Sequence, residues 1–461
     1  MSKIPDNARR IMELVLAPWM APSGRMQEPA SDALIVGGFV RDSLLGLQSK
    51  DVDIEVYGLG IDAIKHILES NGFRVDAVGK AFGVLKIDNE IDVSVPRREN
   101  KVGAGHRGFK VVPDHRMSVE EAASRRDFTI NSMAMRMNGE ILDPFGGKTD
   151  LTVRCLRHTS EAFVEDPLRV MRAMQFASRF SMELHPETEQ LCREMAPQKG
   201  DLPKERIWEE WKKWALKGVD PSWGLKTLLQ AGWLDREVKA LDNVPQDKEW
   251  HPEGDVFIHT CFVVDAAAKI AEREQLDDHD RLVLMFAALC HDFGKPSTTE
   301  VIDGRWRSKG HCEAGVKPAR KFLERIGAPN AVIEEVLPLI SDHLVHAGVD
   351  VPSDRAIRRL ANRIAPASIA ALGRLVEADH SGRPPLPVGN PLSVWVERAA
   401  SLNVAGSKPS AILMGRHLIE MGIQPGKQMG VLLNRAFEAQ LDGVFDNVES
   451  AKQWCQNEAN N

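Results

Sequence analysis

The stretch Leu34–Gly58, LIVGGFVRDSLLGLQSKDVDIEVYG, constrains the fold more than any other. An apolar run of strand length meets a Gly-Gly turn, a segment with helical spacing follows, and VDIEVYG then alternates with period two. In an extended strand, side chains two apart share a face, so Asp51 and Asp53 project together while Val52 and Ile54 face the core. Carboxylates set so close repel unless a cation lies between them. Two hard oxygen donors on a rigid strand suit Mg2+, with room left for phosphate oxygens. Gly37 and Gly38 let backbone approach a phosphate, and the following helix offers unpaired N–H groups at the positive end of its dipole. Arg41, one turn into that helix, is placed to complete a triphosphate cradle. Asp92 alternates with Ile91 and Val93 on another strand-like run and is a third carboxylate for the same face. A DxD or a Gly-Gly turn alone is commonplace. Strand, Gly-Gly, helix and DxD strand in order, within about twenty residues, is what a two-metal phosphoryl-transfer site requires.

At 461 residues the chain is too long for one ordinary core, so two to four domains are expected. Hydrophobic residues make up 43% and charged residues 27%, the balance of a soluble globular protein. No uncharged apolar stretch of about 18 residues occurs, and Glu13 interrupts the apolar run near the N-terminus. The expectation is therefore neither a membrane span nor a signal peptide, and a cytoplasmic location. The six cysteines are scattered without a CxxC pair, which gives neither a disulfide framework nor a thiolate zinc site. A net charge of −7 argues against non-specific coating of nucleic acid. One local basic run, with Arg97, Arg98, Lys101, Arg107, Lys110, Arg116, Arg125 and Arg126, reads on composition as a solvated loop face.

The fold class expected is α+β. Residues 33–150 carry strand and helix signals in alternation, including GVLKI and IDVSV around the turn DNE, and point to a mixed β-sheet. From about Arg154 the spacing becomes helical with few strand signals, as in EDPLRVMRAMQFASRF and KERIWEEWKKWALKG. Polar, Pro-containing stretches mark boundaries near 245–255 and 382–391. Trp208, Trp211 and Trp214 recur every three residues, a stripe that reads as core packing rather than base stacking.

GGFVRDSLLG…DVDIEVYG resembles the catalytic motif of the class II tRNA nucleotidyltransferases, the CCA-adding enzymes, which share a superfamily with DNA polymerase β. Further motifs follow in that family's order: RRDFTINSMA resembles its ribose-selecting motif, LDPFGGKTDL its hinge, EDPLRVMRA its nucleotide-reading motif and RIWEEWKK its last helical motif. The resemblance implies Asp51 and Asp53 as the Mg2+-holding catalytic pair. It divides the chain into an N-terminal extension (1–32), a nucleotidyltransferase head (33–153), an all-α neck (154–245) and helical regions beyond.

Base choice has a chemical rationale. Cytosine and adenine both place an amine donor beside a ring-nitrogen acceptor, where uracil and guanine place a carbonyl oxygen. A carboxylate with a guanidinium accepts from the amine, donates to the ring nitrogen and rejects the other two bases. Asp166 and Arg169, spaced i and i+3, supply that pair on one helical face. The resemblance adds Arg172 as a contact to triphosphate or base. Asp127 suits a ribose hydroxyl, Arg125 or Arg126 suits a phosphate, and Asn131 is a structural helper. The Gly-punctuated stretch PRRENKVGAGHRGFK falls where the family carries a flexible loop that CC-adding relatives shorten, so its presence favours terminal A addition.

A second constellation lies downstream. His259, His291, Asp292 and Asp379 form a His, His-Asp, Asp set spread over helical segments, within VFIHT, ALCHDFGKP and EADHSGR. Imidazole with carboxylate suits a transition metal such as Ni2+, Mn2+ or Co2+, and an open coordination position activates water for phosphoester hydrolysis. The pattern is similar to the HD superfamily of metal-dependent phosphohydrolases, and to the HD domain fused to some bacterial CCA-adding enzymes. The resemblance implies 2′,3′-cyclic phosphodiesterase, 2′-nucleotidase and phosphatase activities in residues 250–385. His311 and His343 are candidates for substrate phosphate. A helical scaffold without turnover is the alternative. The last region, 386–461, reads as helices around a Pro-Gly turn and resembles a tRNA-holding tail.

The function expected is template-independent addition or repair of the tRNA 3′ CCA from CTP and ATP. The partners expected are the tRNA 3′ end and acceptor stem, recognised by shape, with no membrane. An A-adding enzyme and a poly(A) polymerase of the same superfamily are the rivals; GKAFGVLK, with Ala81 where a second basic residue belongs, only partly matches the polymerase signature. A reading from another class makes the HD domain the enzyme and the N-terminal half a degenerate RNA-binding module. The complete DxD and RRD motifs count against it.

Overall fold

A computed structural model describes residues 4–49, 51–77, 83–101 and 109–459. Residues 79–82 of GKAFGVLK and 102–108 of the basic Gly-punctuated stretch lie outside the described residues. The chain forms two compact units, residues 1–206 with 226–233 and residues 207–225 with 234–461.

The first unit is built on a seven-stranded mixed sheet, as the α+β expectation requires. Its strands are β1 (Asp32–Val36), β2 (Val52–Tyr57), β3 (Val75–Asp76), β4 (Val84–Ile87), β5 (Ile91–Ser94), β6 (Ala134–Met135) and β7 (Ile141–Leu142), in the spatial order β7-β6-β1-β2-β5-β4-β3. β1 is apolar through ALIV and buried along that run, the pattern of a strand covered on both faces. β2 alternates instead: Val52, Ile54 and Val56 are buried while Asp53 and Glu55 face outward. β2 runs antiparallel to β1, with Val36 opposite Asp53, and parallel to β5, with Asp53 opposite Asp92. β4 and β5 meet at the turn read as DNE, where Asp88 and Asn89 both take positive φ (50° and 62°), the conformation tight hairpins favour.

Helix α1 (Gly38–Leu44) leaves the Gly-Gly turn. A short helix, α2 (Thr129–Ser132), carries Asn131, and α3 (Leu168–Phe180) buries Leu168, Val170, Met171, Ala173, Met174, Phe176 and Ala177 before stopping at the left-handed Ser181.

The second unit is helical. From the helix α4 (Lys204–Lys217) it takes Trp208, Trp211 and Trp214, of which Trp211 and Trp214 are fully buried. Trp211 meets the rings of Phe286 and Phe322 edge-on or tilted, so the tryptophan stripe is core. Helices α5 (Val256–Arg273), α6 (Asp278–Cys290), α7 (His311–Ile326), α8 (Asn330–Asp342) and α9 (Ile369–Ser381) pack together around α5 and α6. A two-stranded hairpin, β8 (Thr299–Ile302) with β9 (Arg305–Ser308), interrupts the helical pattern. The helical reading missed it, although Asp303 and Gly304, both at positive φ, make the two-residue turn such a hairpin needs. The expected helices around Pro425 and Gly426 are α10 (Gly415–Glu420) and α11 (Lys427–Leu441), joined by α12 (Val448–Ala459) on a core of Leu418, Met429, Ala436, Phe445 and Cys455. All six cysteines are free and five are buried. Among the described residues no helix is long and apolar enough to cross a membrane.

Candidate active sites

The first site gathers around the junction of β1, α1 and β2. Gly37 has φ +69°, and a Cβ there would stand 3.1 Å from Arg126 Nη1, so glycine serves both the left-handed turn and the close approach of a guanidinium. Arg126 also faces Glu55, Nη2 to Oε1 3.6 Å, and thus spans the turn and the outward face of β2. Asp51 immediately precedes β2 and is exposed; Asp53 lies within the strand, beside Asp92 of β5. Lys86 Nζ sits 3.0 Å from Asp92 Oδ1. The Asp53 carboxyl is raised above the usual carboxylate range by the packed chain around it, with Asp92, Asp51 and Glu55 adding to the rise and Arg126 opposing it. A carboxyl raised by three neighbouring acids belongs to a donor set short of positive charge, and hard oxygens in that setting fit a divalent cation.

Behind this face runs a continuous buried polar network. Arg41 is 4% exposed, its guanidinium turned inward. Nε and Nη2 donate to Asp42 Oδ1 at 2.8 and 2.7 Å, and Nη1 donates to Asn131 Oδ1 at 2.6 Å. Phe176 and Phe180 of α3 flank it, with ring centroids 5.3 and 4.6 Å from the guanidinium carbon. Asn131 passes the connection on, its Nδ2 donating to Asp127 Oδ1 at 2.9 Å, and Arg172 Nε donates to Asp127 Oδ2 at 2.6 Å. At the other end Arg179 Nη2 donates to Asp42 Oδ2 at 3.1 Å. Burial alone would raise the Asp127 carboxyl, but Arg172, Asn131 and the Phe128 N–H outweigh it and hold it below the usual range. The turn helix, the RRDFTIN segment and α3 are thereby tied into one rigid piece.

The pair expected to read the nucleotide, Asp166 and Arg169, is arranged differently from the sequence expectation. Asp166 is not on the helix with Arg169. It precedes Pro167, has extended backbone (φ −125°, ψ 101°) and receives the Leu168 N–H at 3.1 Å, because the residue before a proline avoids helical geometry. Its carboxylate pairs with Arg206, Nη2 to Oδ2 2.7 Å and Nη1 to Oδ1 3.3 Å. Arg169 instead donates to backbone carbonyls, Nη1 to Ala162 at 2.6 Å and Nη2 to Arg125 at 2.8 Å. Arg125 donates to Glu165 at 2.9 Å, so several of the basic residues in this stretch already carry acidic partners, Arg98 with Asp114 among them. Arg206 was within a quoted motif but had no role there; a contact across forty positions leaves no local signal.

The second site is a cluster of imidazoles and carboxylates where α5, α6, α7, α8 and α9 converge. His259 Nε2 stands 3.0 Å from Asp379 Oδ1 and 3.8 Å from Asp292 Oδ2; His291 Nε2 stands 3.1 Å from Asp292 Oδ2 and 3.9 Å from Asp379 Oδ1. The four residues read from sequence therefore meet. His311 and His343 join them, with His311 Nε2 at 3.4 Å from Asp292 Oδ1 and 3.3 Å from His343 Nε2. Lys295 Nζ lies 2.8 Å from Asp292 Oδ2. Each imidazole is anchored through Nδ1, His291 on the Ala288 carbonyl (2.8 Å), His311 on that of Ser308 (2.7 Å) and His343 on that of Ile340 (2.7 Å). The Nε2 atoms consequently all face inward.

Burial would raise the Asp292 and Asp379 carboxyls, yet His291 and Lys295 for the one, and His259 for the other, hold both well below the usual range. Burial would lower His259, but Asp379 and Glu253 hold it up at about 9. His343 is pushed down to about 3 by burial, then by His291 and His311. His291 Nε2 is buried without a hydrogen-bond partner among the described residues. Inward imidazole nitrogens, anionic carboxylates and an orphaned donor atom fit a transition-metal ion. Three side chains went unread in the sequence, His251, Glu253 and Lys295. Only Lys295, three residues after Asp292, had a local signal.

Three domain families match in chain order. A poly A polymerase head domain covers residues 33–157, a probable RNA and SrmB-binding site of polymerase A covers 181–243, and an HD domain covers 256–366. A multifunctional CCA protein of Vibrio parahaemolyticus is 36% identical over 394 residues, spanning 80% of this chain and 91% of its own. Among solved structures, the Bacillus stearothermophilus CCA-adding enzyme in complex with CTP has a TM-score of 0.64 at 24% identity, covering 93% of each chain. The Thermotoga maritima CCA-adding enzyme complexed with tRNA has a TM-score of 0.54 at 19% identity, covering 93% of this chain and 91% of that one. At those identities the two structures establish a shared fold, whereas a relative matched along nine-tenths of its length carries more. The chain belongs to the multifunctional CCA protein family, with a polymerase-type head and an HD domain in one polypeptide.

Proposed function

We propose that this protein builds and repairs the 3′-terminal CCA of tRNA from CTP and ATP, and that its HD domain hydrolyses phosphoesters. The reading is carried by family membership together with the register that places Asp53 beside Asp92 on the same sheet face as the Gly37–Arg126 approach. The tRNA 3′-hydroxyl attacks the α-phosphate of the incoming nucleotide and pyrophosphate leaves. Asp51 and Asp53 hold Mg2+, with Asp92 alongside. Bound there, Mg2+ lowers the pKa of the attacking hydroxyl and steadies the leaving pyrophosphate. Arg126, beside the Gly37–Gly38 turn, meets the triphosphate, and Arg125 stands next to it. Arg41, buried, acts by fixing the turn rather than by touching phosphate. Asp127 and Arg172 orient ribose and base. Asp166 accepts the amine of C or A, held in place by Arg206, and Arg169 supplies the donor once a nucleotide offers it a better acceptor than a backbone carbonyl.

In the HD domain His259, His291, Asp292 and Asp379 hold Ni2+, Mn2+ or Co2+, and His311 and His343 face the substrate phosphate. The divisions at 1–32, 33–153, 154–245, 250–385 and 386–461 are the functional regions, the last holding tRNA, and the location is cytoplasmic. One experiment tests the main reading. tRNA transcripts ending at the discriminator base, at C and at CC are supplied with CTP, ATP or both, and product lengths are read on a gel. Extension to CCA from each is expected. No extension overturns the reading, A addition to the CC-ending transcript alone replaces it with an A-adding enzyme, and long A tails replace it with a polymerase.

A further inference from the structure

Glu253 lies behind His259, on the side away from the metal-ligand cluster, and its side chain has no solvent exposure. Its Oε1 is 2.8 Å from His259 Nδ1 and 2.9 Å from His251 Nδ1, so one oxygen stands within reach of two imidazole nitrogens. Oε2 is buried without a hydrogen-bond partner among the described residues. A buried carboxylate with one oxygen left unpaired is costly in a fold, and among the described residues no lysine or arginine pairs with it. What the carboxylate does control is His259. The second neighbour of His259 Nδ1 is the Gly382 carbonyl at 3.2 Å. Both neighbours are acceptors only, so Nδ1 keeps its hydrogen, and a metal that displaces the Nε2 proton now shared with Asp379 would find the ring's lone pair on Nε2. The other inward-facing imidazoles, His291, His311 and His343, rest their Nδ1 on neutral backbone carbonyls. His259 alone among them leans on a full negative charge, which makes it the most strongly donating imidazole of the set.

We infer that Glu253 is a positioning residue of the HD site, one that fixes the tautomer and raises the donor strength of His259 toward the bound metal, with His251 holding Glu253 in line. The inference rests on the proposed metal-dependent HD activity and goes beyond its ligand set.

The test is Ni2+ affinity of the full-length protein by titration calorimetry, beside thermal unfolding of each variant. Glu253→Ala and the isosteric Glu253→Gln should each weaken Ni2+ binding about 10- to 100-fold. Hydrolysis of a 2′,3′-cyclic nucleotide should recover as Ni2+ is raised toward saturation. His251→Asn, whose amide nitrogen stands where Nδ1 was, should stay within about threefold of the parent, while His251→Ala should fall between the two. Wild-type Ni2+ affinity in folded Glu253→Gln overturns the inference, and so does a loss in His251→Asn equal to that in Glu253→Ala. If Glu253→Ala unfolds, the glutamine variant decides. Undiminished Ni2+ binding by His259→Ala and Asp292→Ala overturns the metal reading itself and the inference with it; their loss of binding, with Glu253→Gln unaffected, sinks the inference alone.

Discussion

Asp166 and Arg206 form a two-pronged ion pair across forty positions of the chain, with Arg206 Nη2 2.7 Å from one carboxylate oxygen and Nη1 3.3 Å from the other. Both side chains are about a third exposed, so the pair contributes modestly to stability and chiefly to direction: it leaves the carboxylate one orientation in which to meet a base. Arg206→Ala should therefore keep the protein folded while lowering the preference for CTP and ATP over UTP and GTP by about tenfold. Misincorporation on a CC-ending tRNA, read at single-nucleotide resolution, checks this. Unchanged discrimination with normal kinetics would remove Arg206 from the reading apparatus.

Asp127 sets a pH dependence. Burial opposes its ionisation, but Arg172 and Asn131 hold its carboxyl below the usual range in the folded protein. A carboxyl depressed on folding contributes stability above its unfolded pKa, and that contribution disappears as pH falls through the folded value. Arg172→Ala removes the largest favourable charge, so the acid-side loss of stability should begin at a higher pH than in the parent. Urea midpoints measured across the acid range distinguish the outcomes; parallel curves would mean Arg172 does not support the Asp127 charge.

The two sites should fail independently. Asp53→Ala should abolish nucleotide addition and spare Ni2+-dependent hydrolysis of a 2′,3′-cyclic nucleotide, whereas His291→Ala and Asp292→Ala should do the reverse. Assaying both reactions on each purified variant is sufficient. Hydrolysis that persists in His291→Ala and Asp292→Ala would refute the HD ligand set.

Trp211 is fully buried among Trp214, Phe286 and Phe322. Trp211→Ala should cost about 3–5 kcal/mol, seen by calorimetry as an earlier unfolding transition. A tryptophan that stacked on RNA would behave otherwise, leaving stability nearly intact and weakening tRNA affinity.

The contrast between these residues shows what a sequence makes legible. Strand β2 and its carboxylates were readable because period two and the Gly-Gly turn are local patterns, and Asp51 proved to sit one residue ahead of the strand. The convergence of the HD-region histidines and aspartates was readable because the residue types are rare and chemically matched, though nothing local brought Asp379 within 3.0 Å of His259. Asp166 and Arg169 were misplaced on one helical face because spacing was weighed and Pro167 was not. Arg206, Asn131 as a hub, and Glu253 behind His259 depend on contacts between distant segments, which leave no periodicity behind. The hairpin at Asp303–Gly304 was missed for a different reason, since its turn signal was present but surrounded by helical spacing.

The pairing of β2 with β5 has a consequence for assembly. β1 and β2 are near neighbours in the chain, whereas β5 reaches β2 only after a helix, Ile61–Ser70, and two further strands. The entropy of closing that longer loop must be recovered from the contacts it makes, and at Asp53 and Asp92 the contact is between like charges. The compensation lies on the opposite face, where Val52, Ile54, Ile91 and Val93 are buried, and a slip of one residue would expose all of them. The hydrophobic face thus does work against the carboxylates as the sheet closes. A divalent cation bound at Asp53 would recover that work as binding free energy, and the apolar side of β2 would then help set the affinity of its polar side.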